Sequence, residues 1–528
     1  MIAQIKEIVN RLNTLKYYLL TANILLVISL IALTNFGVLP LKNTGDFLFF
    51  TALAFMLALY RPGWSFLFFI GTIALENIDL APKDIGLTIR PYQLLGLATF
   101  LAVGVRYFTR RLNFKLPKIE WTEYALVLFV LGGFLGSLNA YNSGLAIKQS
   151  IIIVSFALLY FLVRIFIRDL DDIKRIIPFF LSSSFVVVLY AIWQNWRFIQ
   201  GRNHFEVMPG RANATFTEAD WLGMFLVLLL TILCVVAYNF YSKMKILKLS
   251  YKTYMFGYSC FVWVMIVLSW MALIITVARS AWLGAGVVTL GTVIYLLVKK
   301  KIKLSLMFMG AILLALGSVY IFGLTNFQLS NRALSTASGE QEITIACKGE
   351  VQIPGPLDNV SQLMQYDCQH INLEDVEKEK SAGKIIKKIY RKDPNVSIRK
   401  EIYSKSINEI KNNFIFGIGW GNISDVLGKD ERGAGLNSSN IFLEVWLGAG
   451  ILGLASLITL LGYILVRGKV FFLKKLREGK FWREDSTMDF FHLFLVLGAV
   501  AIIIPNLFNA GIMLGFLWVW MGVSLIKN

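Results

Sequence analysis

The chain has 528 residues, of which 56% are hydrophobic and only 16% are charged. A soluble protein of this size could not cover so much apolar surface, so lipid must be the solvent for most of the chain. The net charge of +19 would suggest nucleic-acid binding in a soluble protein. Here the Lys and Arg residues cluster in alternate loops, which is the positive-inside pattern of membrane proteins. We therefore expect membrane lipids, and no nucleic acid, among its partners.

Apolar runs that approach the roughly 20 residues needed to cross a bilayer recur along the whole chain. We predict spans near residues 17–39, 46–60, 63–75, 91–108, 121–138, 148–166, 176–196, 219–241, 253–276, 280–298, 304–323, 440–466, 487–505 and 510–526. The short pair around Arg61 and Pro62 is either two spans or one re-entrant hairpin. Fourteen spans with both termini in the cytoplasm fit every basic loop, and twelve spans are the alternative. The basic loops cover residues 6–16, 110–118, 168–175, 243–252, 299–303 and 467–483.

These spans predict an all-α polytopic membrane protein with about 12–14 transmembrane helices and one large extracytoplasmic loop containing short helices. The predicted organisation is an N-terminal transmembrane bundle over residues 1–323, the large loop over 324–439, and C-terminal transmembrane helices over 440–528. The other connections are short. A single large polar segment favours an enzyme working at the membrane surface over a pure anchor or a packed pore.

The large loop carries several local signals of its own. Cys347 and Cys368 could form a disulfide if the loop faces an oxidising compartment, but their spacing cannot show that they are close. The mixed-charge stretch 374–388 predicts a solvated helix. Residues 397–412 predict an amphipathic helix on the membrane surface. The predicted apolar face of that helix comprises Ile398, Ile402, Ser406, Ile407 and Ile410.

Charged residues stand at two places where the predicted topology puts the chain outside the cytoplasm. Arg211, Glu218 and Asp220 lie close to the membrane boundary, at the start of a span. Thr217 could instead cap that helix, with both carboxylates favourable in its first turn. Arg279 interrupts two spans with almost no loop. A cation there is either a snorkelling turn residue or an anion ligand that faces the bundle interior.

Two further segments precede the last predicted spans. Glycines alternate at positions 417, 419 and 421, which predicts a tight backbone path against a ligand or another helix. This is not a dinucleotide-binding motif, because no strand of a βαβ unit precedes it. The other segment is 437–440, which is followed by Glu444 one turn into the next span.

Arginine is well suited to binding pyrophosphate, because its planar guanidinium can donate two parallel hydrogen bonds to phosphate oxygens. Arg211, Arg279 and Arg399 come from three separated segments of the sequence. The predicted topology puts all three outside the cytoplasm. Their convergence suggests a membrane-embedded site for a phosphate-linked lipid.

At these motifs the chain resembles the O-antigen ligase and O-antigen polymerase superfamily of bacterial envelope enzymes. The matching pieces are Ile89-Arg-Pro-Tyr-Gln-Leu94, Gly210-Arg-Ala-Asn-Ala-Thr-Phe216, Ala278-Arg-Ser-Ala-Trp282, Arg399 before an amphipathic helix, Phe416-Gly-Ile-Gly-Trp-Gly421 and Ser439-Asn-Ile-Phe-Leu-Glu-Val-Trp-Leu-Gly-Ala-Gly450. Each piece alone is weak. Their order, together with the large loop before the last one, is fairly specific.

The resemblance implies an inverting glycosyl transfer outside the cytoplasm, by an enzyme of the bacterial plasma (inner) membrane. A glycan on undecaprenyl pyrophosphate is moved to a hydroxyl of a glycan, lipid or protein acceptor, with no metal, nucleotide sugar or other cofactor required. Arg211 and Arg279 match the family's phosphate-binding arginines, and Arg399 and Arg90 are further candidates. The candidates on the acceptor side are Ser438 and Asn440.

One departure from the family concerns the general base. In the ligases a His, the expected base, stands immediately before the Asn that Asn440 matches, and here that position is Ser439. The spacing of the chain's only histidines, His204, His370 and His492, makes none of them a base. The remaining catalytic candidates are Glu444, Glu218, Asp220 and Ser439 itself. The missing His favours a polymerase or a divergent transferase over a ligase.

Two other functions fit parts of the sequence. A transporter or flippase of lipid-linked sugars would also need cations inside the bundle, but it would usually carry carboxylates or broken helices deep in several spans. An inactive relative that acts as a scaffold would be consistent with the missing His. The outer arginines, the single large loop and the ordered motifs favour a glycosyltransferase.

Overall fold

The computed structural model describes residues 2–208, 210–244, 249–324, 340–353, 355–357, 360–371, 376–392, 394–428, 435–482 and 485–526. Parts of two predicted basic loops, residues 245–248 and 483–484, lie outside these described residues. So do the beginning of the large loop, 325–339, and the beginning of its predicted mixed-charge helix, 374–375.

The chain divides into two compact units, one formed by Met1–Leu324 with Glu409–Asn528 and the other by Thr325–Asn408. The described helices in chain order are α1 (Ile2–Asn35), α2 (Thr44–Tyr60), α3 (Pro62–Thr72), α4 (Pro91–Phe108), α5 (Trp121–Gly136), α6 (Ser143–Phe166), α7 (Leu170–Ile199), α8 (Ala219–Met244), α9 (Leu249–Ile275), α10 (Arg279–Val298), α11 (Ile302–Ile321), α12 (Val376–Ser381), α13 (Pro394–Asn412), α14 (Ile423–Leu427), α15 (Ile441–Arg477), α16 (Thr487–Asn506) and α17 (Gly515–Ser524).

The first unit is a bundle of apolar helices. Among the described residues, ten helices are long and apolar enough to cross a membrane, and α2 and α17 are shorter apolar helices. A segment surrounded by lipid must satisfy its own backbone hydrogen bonds, which is why such apolar runs fold as helices. The prediction of an all-α polytopic membrane protein is confirmed. The ten helices of spanning length among the described residues are fewer than the twelve to fourteen predicted.

The short pair of predicted spans resolves into helices of unequal length. The α3 helix has 11 residues, or about 16 Å at 1.5 Å per residue, against a hydrocarbon core of about 30 Å. The chain after it stays inside the protein, since Ile73, Leu75 and Glu76 are all buried. The α2 helix is a 17-residue apolar helix, whereas α3 ends in a buried loop that leads to α4.

The α15 helix is broken close to its beginning. Gly450 has φ +63° and ψ −165°, which is not helical. The segment before α14 fills the break, because Ile451 N–H donates to Ile415 O at 3.1 Å and Ile418 N–H donates to Leu447 O at 2.7 Å. The last part of the predicted polar loop is therefore inserted into the helical bundle.

The alternating glycines let this insertion pass between helices. Gly417, Gly419 and Gly421 all have positive φ, a conformation that side chains rarely adopt. A Cβ atom on Gly417 would lie only 2.3 Å from Leu447 O. Trp420, between them, is completely buried. Of the two predicted alternatives, packing of this backbone against another helix is confirmed.

Two buried ion pairs join elements of the bundle. Arg164 Nε in α6 lies 2.9 Å from Glu123 Oε1 in α5, and Lys299 Nζ lies 2.7 Å from Asp485 Oδ1. Charged side chains between membrane helices require such partners. The basic residue Lys299, which the charge pattern assigned to a loop, is thus also a packing element.

The second unit contains a three-stranded antiparallel sheet in the order β2-β1-β3. Its strands are β1 (Glu340–Cys347), β2 (Cys368–His370) and β3 (Ile385–Lys392). Cys347 and Cys368 face each other across β1 and β2 and form a disulfide. Of the two possibilities left open by the sequence, the disulfide is the one observed.

The sheet adds strands to the short helices that were predicted for the large loop. The predicted helix over 374–388 is wrong in its second half, because α12 ends at Ser381 and β3 begins at Ile385. In β1, the polar residues Glu342 and Thr344 alternate with the buried residues Ile343 and Ile345, which is the period of a strand with one buried face.

The predicted helix over 397–412 is confirmed as part of α13, but its buried face is narrower than expected. Ile402, Ser406 and Ile410 are buried, at the i, i+4 and i+8 positions of one stripe, whereas Ile398 and Ile407 are exposed. The position of this helix on the membrane surface stays a prediction.

Candidate active site at the ends of the helices

The loop before α8 directs Arg211 towards two other elements. Arg211 Nη2 lies 2.9 Å from Asp220 Oδ2 in the first turn of α8, and its Nε donates to Thr276 O at 3.1 Å. Both charged side chains are partly exposed, at 19% and 27%. Asp220 is therefore more than a favourable charge at a helix N-terminus, since it holds the guanidinium in one orientation.

The turn between α9 and α10 bears Arg279 as the first residue of α10. The turn is tight, because Val277 has φ +54° and Ala278 is the N-cap residue. A Cβ atom on Gly223 of α8 would lie 2.6 Å from Ala281 Cβ. This close approach of two helices fixes the turn beside the helix that carries Asp220.

The start of α15 brings the acceptor-side candidates together. Asn440 caps the helix, since its Oδ1 accepts hydrogen bonds from the N–H groups of Phe442 and Leu443. Glu444 Oε2 accepts a hydrogen bond from Ser438 N–H at 2.8 Å. The carboxylate is thereby turned back over the residues that precede the helix.

Ser439, the position of the family's expected base, has a left-handed backbone. Its φ is +51°, a region that non-glycine residues seldom occupy and that often marks functional sites. The Asn437 side chain supports this conformation, because Asn437 Oδ1 accepts a hydrogen bond from Ser439 N–H at 2.9 Å.

The segment after α16 connects these two groups of candidates. Asn440 Nδ2 donates to Leu507 O at 3.1 Å, and Asn509 Nδ2 donates to Ser280 Oγ at 2.8 Å. Ser280 is the neighbour of Arg279 in α10. The arginine-bearing turn and the start of α15 therefore share one short connecting segment, which the sequence interpretation missed. A detectable signal was the pair of asparagines, Asn506 and Asn509, inside an apolar run.

Arg90 pairs with Glu76, a residue that was not among the sequence-based candidates. Its Nε lies 3.0 Å from Glu76 Oε2 and donates to Glu76 O at 2.7 Å. Tyr92 OH and Gly515 N–H also donate to this carboxylate. Burial raises the pKa of the Glu76 carboxyl, although the Arg90 guanidinium opposes that rise. These contacts tie the buried loop after α3 to α4 and α17.

The two remaining candidates, Glu218 and Arg399, lie in separate parts of the chain. Glu218 immediately precedes α8, and its backbone carbonyl accepts the N–H groups of Trp221 and Leu222. Arg399 lies on α13, within the second unit.

Each of the three histidines has local contacts of its own. His492 is buried in α16, stacked on Phe471 with ring centroids 3.7 Å apart. His204 Nδ1 accepts a hydrogen bond from Glu206 N–H, and His370 belongs to β2 in the second unit. The described residues also contain no group of three or more His, Cys, Asp or Glu side chains that could hold a metal ion.

Residues 264–458 of the chain match a model of the O-antigen ligase family. The matched region includes Arg279, the glycine-rich insertion at 416–421 and the segment 438–444. The resemblance to O-antigen ligases and polymerases is thereby confirmed. Comparison with curated proteins gave no match, and neither did comparison with solved structures.

The family match and the fold together define the general class of the protein. It is a multi-pass membrane protein. The similarity of residues 264–458 to the O-antigen ligase family supports a glycosyl-transfer enzyme in general terms. Arg90, Arg211, Glu218 and Asp220 precede the matched segment, so their roles depend on the geometry alone.

Proposed function

We propose that this protein transfers a glycan from undecaprenyl pyrophosphate to an acceptor hydroxyl at the outer face of the bacterial plasma (inner) membrane. Both termini then lie in the cytoplasm, and the predicted loop 324–439 lies outside. The transfer inverts the configuration at the anomeric carbon and requires no metal. The acceptor hydroxyl belongs to a growing glycan, a lipid or a protein, and Ser439 in place of His favours the growing glycan.

The observation that carries this proposal is the contact of Arg211 with the turn that bears Arg279. Arg211 Nε donates to Thr276 O at 3.1 Å, in the same turn as Arg279. Two arginines from separate parts of the sequence are thereby connected through one short turn. Planar, bidentate donors of this kind suit a pyrophosphate.

The reaction follows from this assignment. The acceptor oxygen attacks the anomeric carbon from the face opposite the pyrophosphate and forms the new glycosidic bond. The bond from that carbon to the phosphate oxygen breaks, and its electron pair leaves with the pyrophosphate. Arg211 and Arg279 stabilise the charge that develops there, an effect worth about 2.7–4 kcal/mol per well-placed donor in other enzymes.

The acceptor proton passes to a base, for which Glu444 is our choice. Its carboxylate is oriented by the Ser438 N–H group at 2.8 Å, next to the capping side chain of Asn440. Asp220 is engaged by Arg211, so we assign it a positioning role. Glu218 and Ser439 are the remaining candidates.

The same reasoning distinguishes the other two arginines. Arg90 pairs with the fully buried Glu76 at 3.0 Å, whereas Arg211 pairs with the partly exposed Asp220. We therefore assign Arg90 a supporting role for the buried loop after α3. Arg399 remains a proposed pyrophosphate ligand on the second unit, and its substitution belongs in the same assay.

The test is transfer by the purified protein in lipid nanodiscs, with the glycan-bearing undecaprenyl pyrophosphate of the source cell as donor. Arg211→Ala and Arg279→Ala should each lower kcat/KM by about 10²–10³-fold. Arg→Lys at either position should recover little, because Lys lacks the forked geometry. Arg202→Ala is the matched control, since Arg202 is an exposed residue of the same loop.

Full transfer activity in both alanine variants would overturn the proposal. So would movement of the lipid-linked glycan across the bilayer without any covalent change, which is the behaviour of a flippase. The lengths of the glycan products separate two forms of the proposed activity. A polymerase gives a series of repeat lengths, and a ligase gives a modified acceptor of unchanged glycan length.

A further inference from the structure

An apolar cavity of about 160 Å³ lies within the bundle unit, between α7, α8, α16 and α17. A guest can reach its wall, because several of the apolar side chains that line it are only partly buried. These are Ile177, Phe180, Ile232, Val236 and Phe494. An engineered cavity of about 150 Å³ with a similar lining stays dry and binds benzene. The cavity therefore suits an apolar guest better than it suits water.

Aromatic rings close the cavity towards the loop that bears Arg211. The ring centroid of Phe225 lies 5.8 Å from that of Phe180 and 5.6 Å from that of Phe516. Phe180 and Phe516 both line the cavity. Phe225 also packs against Phe216 of the Arg211 loop, with centroids 5.3 Å apart. Packed rings, rather than open space, therefore join the cavity wall to the Arg211 loop.

The cavity has a polar mouth, formed by Lys174 in α7, Asn239 in α8 and Thr487 at the start of α16. All three side chains keep exposed surface. Asn239 follows Asp220 by 19 positions in α8, which is about 28 Å at 1.5 Å per residue. The hydrocarbon core of a bilayer is about 30 Å thick. The polar mouth therefore lies near the membrane boundary opposite to Arg211.

Positive charge is concentrated at the polar mouth. The Lys174 side chain is 48% exposed, and its ion pair with Asp171 at 2.5 Å involves a carboxylate that is 73% exposed. A surface pair of this kind contributes little stability, and it uses one of the three donors of the ammonium group. Lys243, exposed near the end of α8, is close enough to Lys174 for the two charges to repel. An anion between them would offset that repulsion.

An apolar cavity with a cationic mouth matches a phospholipid that has an anionic head group. The acyl chain supplies the apolar guest, and the phosphate accepts hydrogen bonds from Lys174 and Thr487. Basic pockets between membrane helices bind anionic lipid head groups in this way. A free anion would leave the apolar wall uncovered. The proposed undecaprenyl donor fits less well, because its pyrophosphate would lie at the Arg211 boundary.

We infer that the cavity binds one acyl chain of an anionic phospholipid from the leaflet at this boundary, with the head-group phosphate between Lys174 and Lys243. The amide of Asn239 and the hydroxyl of Thr487 complete the head-group site. The lipid would fill the space between α7 and α8 and support the ring cluster under the Arg211 loop. The inference does not depend on glycosyl transfer.

The experiment is native mass spectrometry of the full protein after removal of bound lipid, titrated with phosphatidylglycerol or with phosphatidylcholine of the same acyl chains. The wild-type protein should bind phosphatidylglycerol more tightly. Lys174→Gln and Lys243→Gln should each weaken its binding by about 3- to 10-fold, with phosphatidylcholine unaffected. Arg175→Gln is the matched control, because it removes the same charge from a neighbouring side chain that is 77% exposed and paired with Asp172. It should bind both lipids as the wild type does.

A second pair of variants tests the cavity itself. Val236→Phe adds a ring where the acyl chain would lie, so it should weaken binding of both phospholipids by at least about 10-fold. Val236→Ala leaves the space open and should bind them as the wild type does. Melting temperatures without added lipid show whether each variant is folded, and the lysine variants decide the question if Val236→Phe is not.

Equal binding of the two phospholipids by the wild-type protein would overturn the inference. An equal loss in Lys174→Gln and Arg175→Gln would also overturn it, since the lipid would then respond only to surface charge. So would full binding by a folded Val236→Phe variant. Displacement of bound phosphatidylglycerol by undecaprenyl phosphate would assign the cavity to the polyprenyl lipid instead.

Discussion

Arg211 Nη2 lies 2.9 Å from Asp220 Oδ2, in an ion pair that connects a loop with the first turn of α8. The pair orients a guanidinium whose Nε is already engaged by Thr276 O. We therefore expect Asp220 to act through Arg211, so that a change in either side chain affects the other.

Asp220→Asn should lower kcat/KM by about 3- to 10-fold, because the amide oxygen keeps a neutral hydrogen bond to Arg211 but loses its charge. The pH dependence of transfer should keep its shape. A general base would behave differently, since its loss costs about 10²–10⁴-fold and removes one limb of the pH profile. Transfer rates from pH 5 to 9 decide between the two roles, and loss of a limb in Asp220→Asn would identify Asp220 as the base.

Ser439→His should restore the family's base at a position whose backbone accepts it. The φ of Ser439 is +51°, and His is several-fold enriched among non-glycine residues in that region. We expect transfer to accelerate, by up to about 10²-fold, with a new pH dependence near the ordinary His pKa of about 6.5. Ser439→Asn is the control, because Asn tolerates the same backbone but cannot act as a base. An unchanged pH profile in Ser439→His would contradict an acceptor-facing position.

Gly450→Ala should destabilise the bundle by about 3 kcal/mol or more, because it adds strain at positive φ to a steric clash. The new Cβ would lie 2.0 Å from Ile415 O, in the inserted segment. Gly462→Ala is the matched control in the same helix, since a Cβ there has no neighbour within 4 Å. Thermal unfolding in detergent should show a lower melting temperature for Gly450→Ala alone, and equal melting temperatures would contradict the kinked packing.

Much of the helical bundle could be predicted, because the length and polarity of a membrane helix are properties of a continuous stretch of sequence. The turn at Arg279 and the span over 219–241, observed as α8, are examples. The half-length α3 could not be predicted. Its buried loop depends on Glu76 meeting Arg90 and Gly515, and a pairing across so much of the chain leaves no local pattern.

Part of the candidate site could likewise be predicted from the sequence, and part of it could not. Arginine chemistry identified Arg211 and Arg279, but the contact from Arg211 to Thr276 depends on how the loop before α8 folds back. The sheet in the second unit was missed for another reason. Ile343, Ile345 and Cys347 recur at every second residue of β1, which is a strand signal. The mixed charges of 374–388, a stretch that reaches into β3, are also typical of a solvated helix.

The disulfide between Cys347 and Cys368 gives a last prediction, which concerns the second unit alone. It closes a loop with a sequence separation of 21, for which the chain-entropy argument gives about 3 kcal/mol of stabilisation. The two cysteines pair across β1 and β2 and pack in the small core with Ile345 and Leu363. Loss of the bond should therefore increase local opening of the sheet.

The double variant Cys347→Ser with Cys368→Ser should accordingly be cut faster by a soluble protease within 340–392, with the helices of the bundle left intact. Limited proteolysis with mass spectrometry of the fragments measures this. Cys260→Ser is the matched control, because Cys260 is a free, exposed cysteine of the bundle unit, and its cleavage pattern should equal that of the wild type. Unchanged cleavage in the double variant would mean that the core around Ile345 holds the sheet without the bond.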